Sequence, residues 1–165
     1  MQTEDPHPKL IVFDLDFTLW NCGGMWIDCC EYPFEQHHNG RIFGAKGSEF
    51  LLYPDIRSLL DAIDEMQIPM SLASRTSRPK WARQLMEMFD IQDRFIHTQI
   101  YPGNKIKHFR KIQKLSGIPF KDMIFFDDEE RNIDDVSTLG VQCEYVARGV
   151  HWQQFDWAMK AFRTR

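Results

Sequence analysis

The chain has 165 residues, 43% hydrophobic and 27% charged, with a formal net charge of −4. That size suits one soluble domain, 1–165, with a real core, and the charge leaves no broad basic surface for duplex nucleic acid. No apolar stretch approaches the ~18 residues of a membrane helix, the opening Met1–Pro6 is polar and acidic rather than signal-like, and four cysteines are too few for a disulfide scaffold, so a cytoplasmic protein with reduced thiols and no membrane partner is expected.

The first element is the short apolar run Leu10–Phe13, which ends in Asp14-Leu15-Asp16-Phe17-Thr18. Such a run, bounded by polar residues, reads as a buried parallel strand. Residues 21–52 then break the pattern, with turn formers at Gly23, Gly24, Pro33, Asn39-Gly40, Gly44 and Gly47. Ile42, Phe43 and Phe50–Leu52 offer short strands there, so a small β-flap over the sheet mouth is expected, too short for a second domain. Pro54 opens a helix in which Ile56, Leu59, Leu60, Ile63 and Met66 recur at helical spacing. Pro69–Ala73 is the next strand and ends at Ser74-Arg75-Thr76-Ser77; Ser77 and Pro79 start a second helix whose Trp81, Leu85 and Met88 share a face.

Phe95–Tyr101 is a weaker strand signal. Asn104–Ser116 is helical with Ile106, Phe109 and Ile112 inward and Gly117 as its stop. Met123–Phe126 is another apolar strand, ending at Asp127-Asp128, followed by a helix through Ile133, Val136 and Leu139 that Gly140 closes. Val141–Val146 is the last strand, and His151–Arg165 a final helix with Trp152, Phe155, Met159 and Phe162 on one side. Strands alternating with helices imply βαβ units: an α/β, doubly wound parallel sheet with a short flap and no large cap.

Polar groups fall at or just past element ends: Asp14 and Asp16, Ser74, Lys105, Asp127 and Asp128. In an open α/β sheet the carboxyl ends of the strands line the ligand crevice. Close carboxylates repel unless one is protonated or a cation lies between them. Each residue alone has a structural reading. Asp16 and Thr18 cap a turn, Ser74 sits in one, Lys105 is solvated, and Asp127, Asp128, Glu129 and Glu130 complement a helix N-terminus. A calcium loop would need spaced acidic ligands and a glycine that are missing. Charge directly after four apolar residues, repeated in a fixed order, favours a joint site.

That ordered set resembles the haloacid dehalogenase-like (HAD) phosphohydrolase superfamily. It is most similar to the magnesium-dependent phosphatase family, through Val12–Asp16, Ala73–Ser77, Ile100–Gly103 and Phe125–Glu129. The resemblance implies a small capless enzyme hydrolysing phosphomonoesters with Mg²⁺. It gives Asp14 as nucleophile forming an aspartyl-phosphate and Asp16 as general acid and base. Mg²⁺ would take Asp14, the Asp16 backbone carbonyl and Asp128. Ser74 and Lys105 would bind phosphate, with Arg75 as an extra substrate contact. Thr18 would buttress the loop and Asp16, and Asp127 would support the metal from behind. Asn132 stands where many superfamily members carry another Asp, and can orient a water.

The implied substrate is a phosphosugar or fructosamine-type phosphate, or a phosphotyrosyl protein. The non-enzyme alternative is a HAD-fold binding or scaffold protein with weak chemistry. In the flap, Trp20, Trp26, Tyr32 and Phe34 either line the leaving-group side or staple the flap down. Cys22, Cys29, Cys30, His37 and His38 cluster without zinc-ligand spacing and read as ordinary flap residues.

Overall fold

A computed structural model describes residues 6–165; the acidic start on which the leader expectation rests lies, apart from Pro6, outside them. In chain order it contains β1 (Leu10–Phe13), β2 (Trp20–Cys22), β3 (Glu35–Gln36), β4 (Ile42–Phe43), β5 (Glu49–Leu52), α1 (Ile56–Glu65), β6 (Met70–Ser74) and α2 (Pro79–Met88). It continues with β7 (Phe95–Ile100), α3 (Lys105–Ser116), β8 (Met123–Asp127), α4 (Glu130–Ser137), β9 (Gln142–Tyr145) and α5 (Trp152–Arg163).

Five parallel strands form one sheet in the order β7-β6-β1-β8-β9. Alternation along β1 sends its side chains to opposite faces. Ile11 and Phe13 pack with Met70, Leu72, Ile124 and Phe126 beneath residues of α1, α2 and α5. Leu10 and Val12 pack with Ala73, Met123 and Phe125 beneath Phe109 and Ile112 of α3 and Val136 of α4. Helices therefore cover both faces, which is why the central strands read as unbroken apolar runs. The chain leaves β1 toward β6 and β7, then returns to the other side for β8 and β9. This reversal beside β1 is the topological switch point, where such sheets open a crevice at their carboxyl ends.

The flap is a separate four-stranded antiparallel sheet in the order β2-β5-β4-β3. Two of its strands, Trp20–Cys22 and Glu35–Gln36, lack the apolar density that marked the others in the sequence. Their pairing is imposed by β5 and β4. Tyr32 stacks on Trp81 of α2 at 5.4 Å between ring centroids, and Phe34 meets the same ring edge-on at 5.7 Å. These two aromatics staple the flap to the body.

Two helix faces depart from the sequence pattern. Met66, at the C-terminal cap of α1, is exposed because the helix ends there. In α3 Ile106 is only half-buried, while Lys105 and His108 turn inward. Polar side chains occupy that face because each has buried partners.

Candidate active site

Three strand ends and one helix start meet at the switch point. Asp14 follows β1 directly, and its backbone N–H donates to Phe126 O of neighbouring β8 at 3.0 Å. The chain then turns tightly: Thr18 N–H and Leu19 N–H both donate to Leu15 O, and Phe17 takes a left-handed φ of 58°. Gly149 and Val150 brace the turn from outside by donating to Phe17 O and Thr18 O at 2.7 and 3.0 Å. Ser74 ends β6 and Asp127 ends β8, both buried.

Lys105 is the first residue of α3, whose start is capped by Asn104 accepting from Ile106 N–H at 2.8 Å. Its ammonium is 1% exposed and donates to Asp14 Oδ1 at 2.7 Å and Asp127 Oδ2 at 2.5 Å. Despite burial, the two carboxylates hold its pKa above the ordinary lysine value. Asn132 of α4 donates to both Asp127 oxygens at 3.1 and 3.2 Å and accepts from Arg75 at 3.4 Å. The amide thus satisfies Asp127 and guides Arg75.

Asp14, Asp127 and Asp128 present oxygens that all lie within 4.8 Å of one another. Burial raises the Asp14 pKa well above the ordinary value; Lys105 opposes this, while Asp127 and Asp128 add to it. Asp128 is pushed up to about 6 by burial, with a hydrogen bond to Asp14 opposing and the charges of Asp127 and Glu129 adding. Converging oxygens that resist ionisation are the donor set a small hard cation relieves, so these residues fit Mg²⁺. Among the described residues no such convergence of three ligand atoms includes Cys22, Cys29, Cys30, His37 or His38.

Asp16 faces the flap. Trp20 Nε1 donates to its Oδ1 at 2.6 Å and Ile27 N–H to its Oδ2 at 3.1 Å. Burial raises its pKa to about 6 against these two bonds, helped by the charges of Asp28 and Asp128, so the group can exchange a proton near neutrality. Thr18, expected to steady Asp16, instead donates to Asp14 Oδ2 at 3.3 Å. The tight turn points its hydroxyl back toward β1, and the tryptophan takes the expected role.

A cavity of about 270 Å³ opens above these groups, with Trp26, Asp28, Arg75 and Pro102 on its rim. Arg75 Nε is buried with no hydrogen-bond partner among the described residues. Two residues were missed by sequence reasoning. Asp28 accepts from Ser77 N–H at 2.9 Å, from Ser77 Oγ at 2.5 Å and from Thr76 Oγ1. Burial opposes it, yet these bonds hold its carboxyl below the ordinary value. His108 places Nε2 2.7 Å from Tyr101 O and 3.0 Å from Ser74 O, fastening α3 to the loops after β6 and β7. No local pattern marks either residue: the partners of Asp28 are distant in sequence, and those of His108 are backbone carbonyls of Asn104, Tyr101 and Ser74, which no side-chain spacing announces.

The model of the family described as Acid Phosphatase matches residues 6–165. The human protein named Magnesium-dependent phosphatase 1 is 44% identical over 156 residues, covering 94% of this chain and 87% of its own length. A HAD-superfamily hydrolase from Ehrlichia chaffeensis superposes with a TM-score of 0.66 at 13% identity, covering 96% and 97% of the two chains. A HAD-family enzyme from Bacteroides thetaiotaomicron, solved as a complex with magnesium and inorganic phosphate, gives 0.65 at 16% identity over 90% of this chain and 98% of its own. At such identities these two structures speak for the fold.

Proposed function

The chain belongs to the Acid Phosphatase family and is a magnesium-dependent phosphatase of the HAD superfamily; from that premise we propose that it works through an aspartyl-phosphate formed on Asp14. The observation behind this reading is the Asp14 carboxylate itself, buried at a strand end and tied at one oxygen to Lys105. Its other oxygen accepts from Thr18 Oγ1 at 3.3 Å. Charge neutralised on one side leaves the other available for in-line attack on phosphorus.

In the first step an Asp14 oxygen bonds to phosphorus as the ester bond to the leaving oxygen breaks. Asp16 gives that oxygen a proton. In the second step Asp16 takes a proton from the water that attacks phosphorus; the Asp14–phosphorus bond breaks, releasing inorganic phosphate and restoring the carboxylate. Ser74 and Arg75 hold non-bridging phosphoryl oxygens, and Lys105 offsets charge on Asp14 and the phosphoryl group. Asp14, the Asp16 backbone carbonyl and Asp128 would hold Mg²⁺, with Asp127 supporting from behind. When bound, Mg²⁺ neutralises the acidic cluster and stabilises negative charge on the transferring phosphoryl group.

The substrate in this reading is a phosphosugar or fructosamine-type phosphate, or a phosphotyrosyl side chain, entering past Trp26 and Arg75. The chain acts as one domain, 1–165, with residues 21–52 as its flap. A cytoplasmic setting is supported by four cysteines, none of them in a disulfide. Hydrolysis of p-nitrophenyl phosphate tests the chemistry: turnover should require Mg²⁺ and vanish in Asp14→Asn. Full activity in that variant would overturn the mechanism, and none in the wild type would leave a scaffold.

A further inference from the structure

Beyond β2, whose Trp20 bonds Asp16, the flap reaches the reaction centre through the short stretch Trp26–Cys29. Ile27, 1% exposed, donates its backbone N–H to Asp16. The next side chain, Asp28, extends the other way, to Thr76 and Ser77 in the loop after β6. Thr76 in turn donates its N–H to Ser74 Oγ at 3.3 Å and accepts from Arg78 N–H at 3.0 Å. One carboxylate therefore links the loop read as holding the phosphoryl group to the backbone amide that orients Asp16.

Among the described residues, the Asp28 carboxylate makes the hydrogen bonds that tie this stretch to the β6 loop. Gly23 and Gly24, both at positive φ (69° and 80°), form the turn that precedes it. Beyond it, the flap is independently anchored by Tyr32 and Phe34 on Trp81 and by Gln36 Nε2 donating to Met88 O at 3.0 Å. Removing the Asp28 carboxylate would thus leave the flap docked and the Ile27 side chain in the core, and loosen only the backbone of the turn that presents Ile27 N–H.

We propose that Asp28 is a positioning residue for leaving-group protonation, fixing Ile27 N–H against Asp16 by bonding to Thr76 and Ser77. The inference rests on the reading of Asp16 as general acid. Its mechanical sense is that a general acid must point one oxygen at the leaving atom, and small misplacements of such groups are costly. Trp20 holds Oδ1 from a rigid strand; Ile27 sets the rotation of the carboxyl through Oδ2 only while its turn is held. The competing structural role is a cap on the loop that leads into α2, since Ser77 N–H lies just before that helix. A cap would affect folding stability and every substrate alike.

The test compares kcat/KM, which covers steps through formation of the aspartyl-phosphate, for two substrates at saturating Mg²⁺. 2,4-Dinitrophenyl phosphate has a leaving group that departs without a proton, whereas β-glycerol phosphate needs one. Asp16→Asn should lose about 10²–10⁴-fold on β-glycerol phosphate and far less on the dinitrophenyl ester. Asp28→Ala should show the same selectivity in milder form, about 10–100-fold against about twofold or less. Asp28→Asn, which can still accept from Ser77 N–H, should fall between Asp28→Ala and wild type. Adding Asp28→Ala to Asp16→Asn should cost nothing further on β-glycerol phosphate. Equal losses on both substrates, or no loss on either, would overturn the positioning role while leaving Asp16 intact. If Asp16→Asn itself showed no selectivity, the acid assignment and this inference would fall together.

Discussion

Replacing Lys105 by methionine removes the one cation between Asp14 and Asp127 while keeping much of the side-chain volume. The ammonium is 1% exposed and makes two charge-assisted hydrogen bonds, at 2.7 and 2.5 Å. Each such bond contributes about 1.5–3 kcal/mol, and stranding a buried charge costs about 3–5 kcal/mol. Both routes give a similar loss, which in a chain of this length lowers the melting temperature by about 6–20 °C. The assay is urea and thermal unfolding in EDTA, repeated with Mg²⁺. The sign with pH follows from the carboxyls. Burial already holds Asp14 above its ordinary value and Lys105 opposes that, so without the lysine the pKa rises further. A carboxyl with a raised folded pKa costs stability once pH exceeds its unfolded value near ~3.9, and increasingly so up to the folded value. The deficit of Lys105→Met should therefore be largest at pH 8, shrink toward pH 4, and be partly repaired by Mg²⁺. A loss below about 1 kcal/mol at pH 8 in EDTA would refute the idea that Lys105 offsets buried negative charge.

Asp128→Ala should mainly raise the Mg²⁺ needed for half-maximal activity. At a concentration 100 times the wild-type Kd, where Mg²⁺ adds about 2.7 kcal/mol to wild-type stability, it should also gain much less; an unchanged Mg²⁺ midpoint would contradict its role as a ligand. Gly149→Ala should destabilise by about 2–4 kcal/mol, because φ is +77° and a Cβ there would stand 2.2 Å from Tyr53 Cγ. A wild-type urea midpoint for that variant would show that the turn around Phe17 does not depend on this brace.

The helix and strand order was legible because each central strand is a short apolar run stopped by charge. That same stop puts Asp14, Ser74 and Asp127 at strand ends. Lys105 was legible only as part of the set, since a lysine opening a helix usually points to water and this one turns inward for two carboxylates. The flap was harder: β2 and β3 are held by strand partners rather than by their own pattern. Trp20 as the tie on Asp16, Ile27 as its second donor and Asp28 as the link to Ser77 depend on pairings that close only after folding. His108 was invisible for a related reason. Its inward position opposes hydropathy and is repaid by carbonyls of Tyr101 and Ser74.

The rim of the cavity is built differently from its floor. Asp14, Lys105 and Asp127 interlock with the sheet core, whereas the side chains of Trp26 and Pro102 are themselves exposed. Selection, natural or in the laboratory, is thus free to vary what is recognised without disturbing how it is cleaved. A library randomised at Trp26 and Pro102 should yield many folded members with altered preference, and the same diversity applied one layer deeper should yield few that fold.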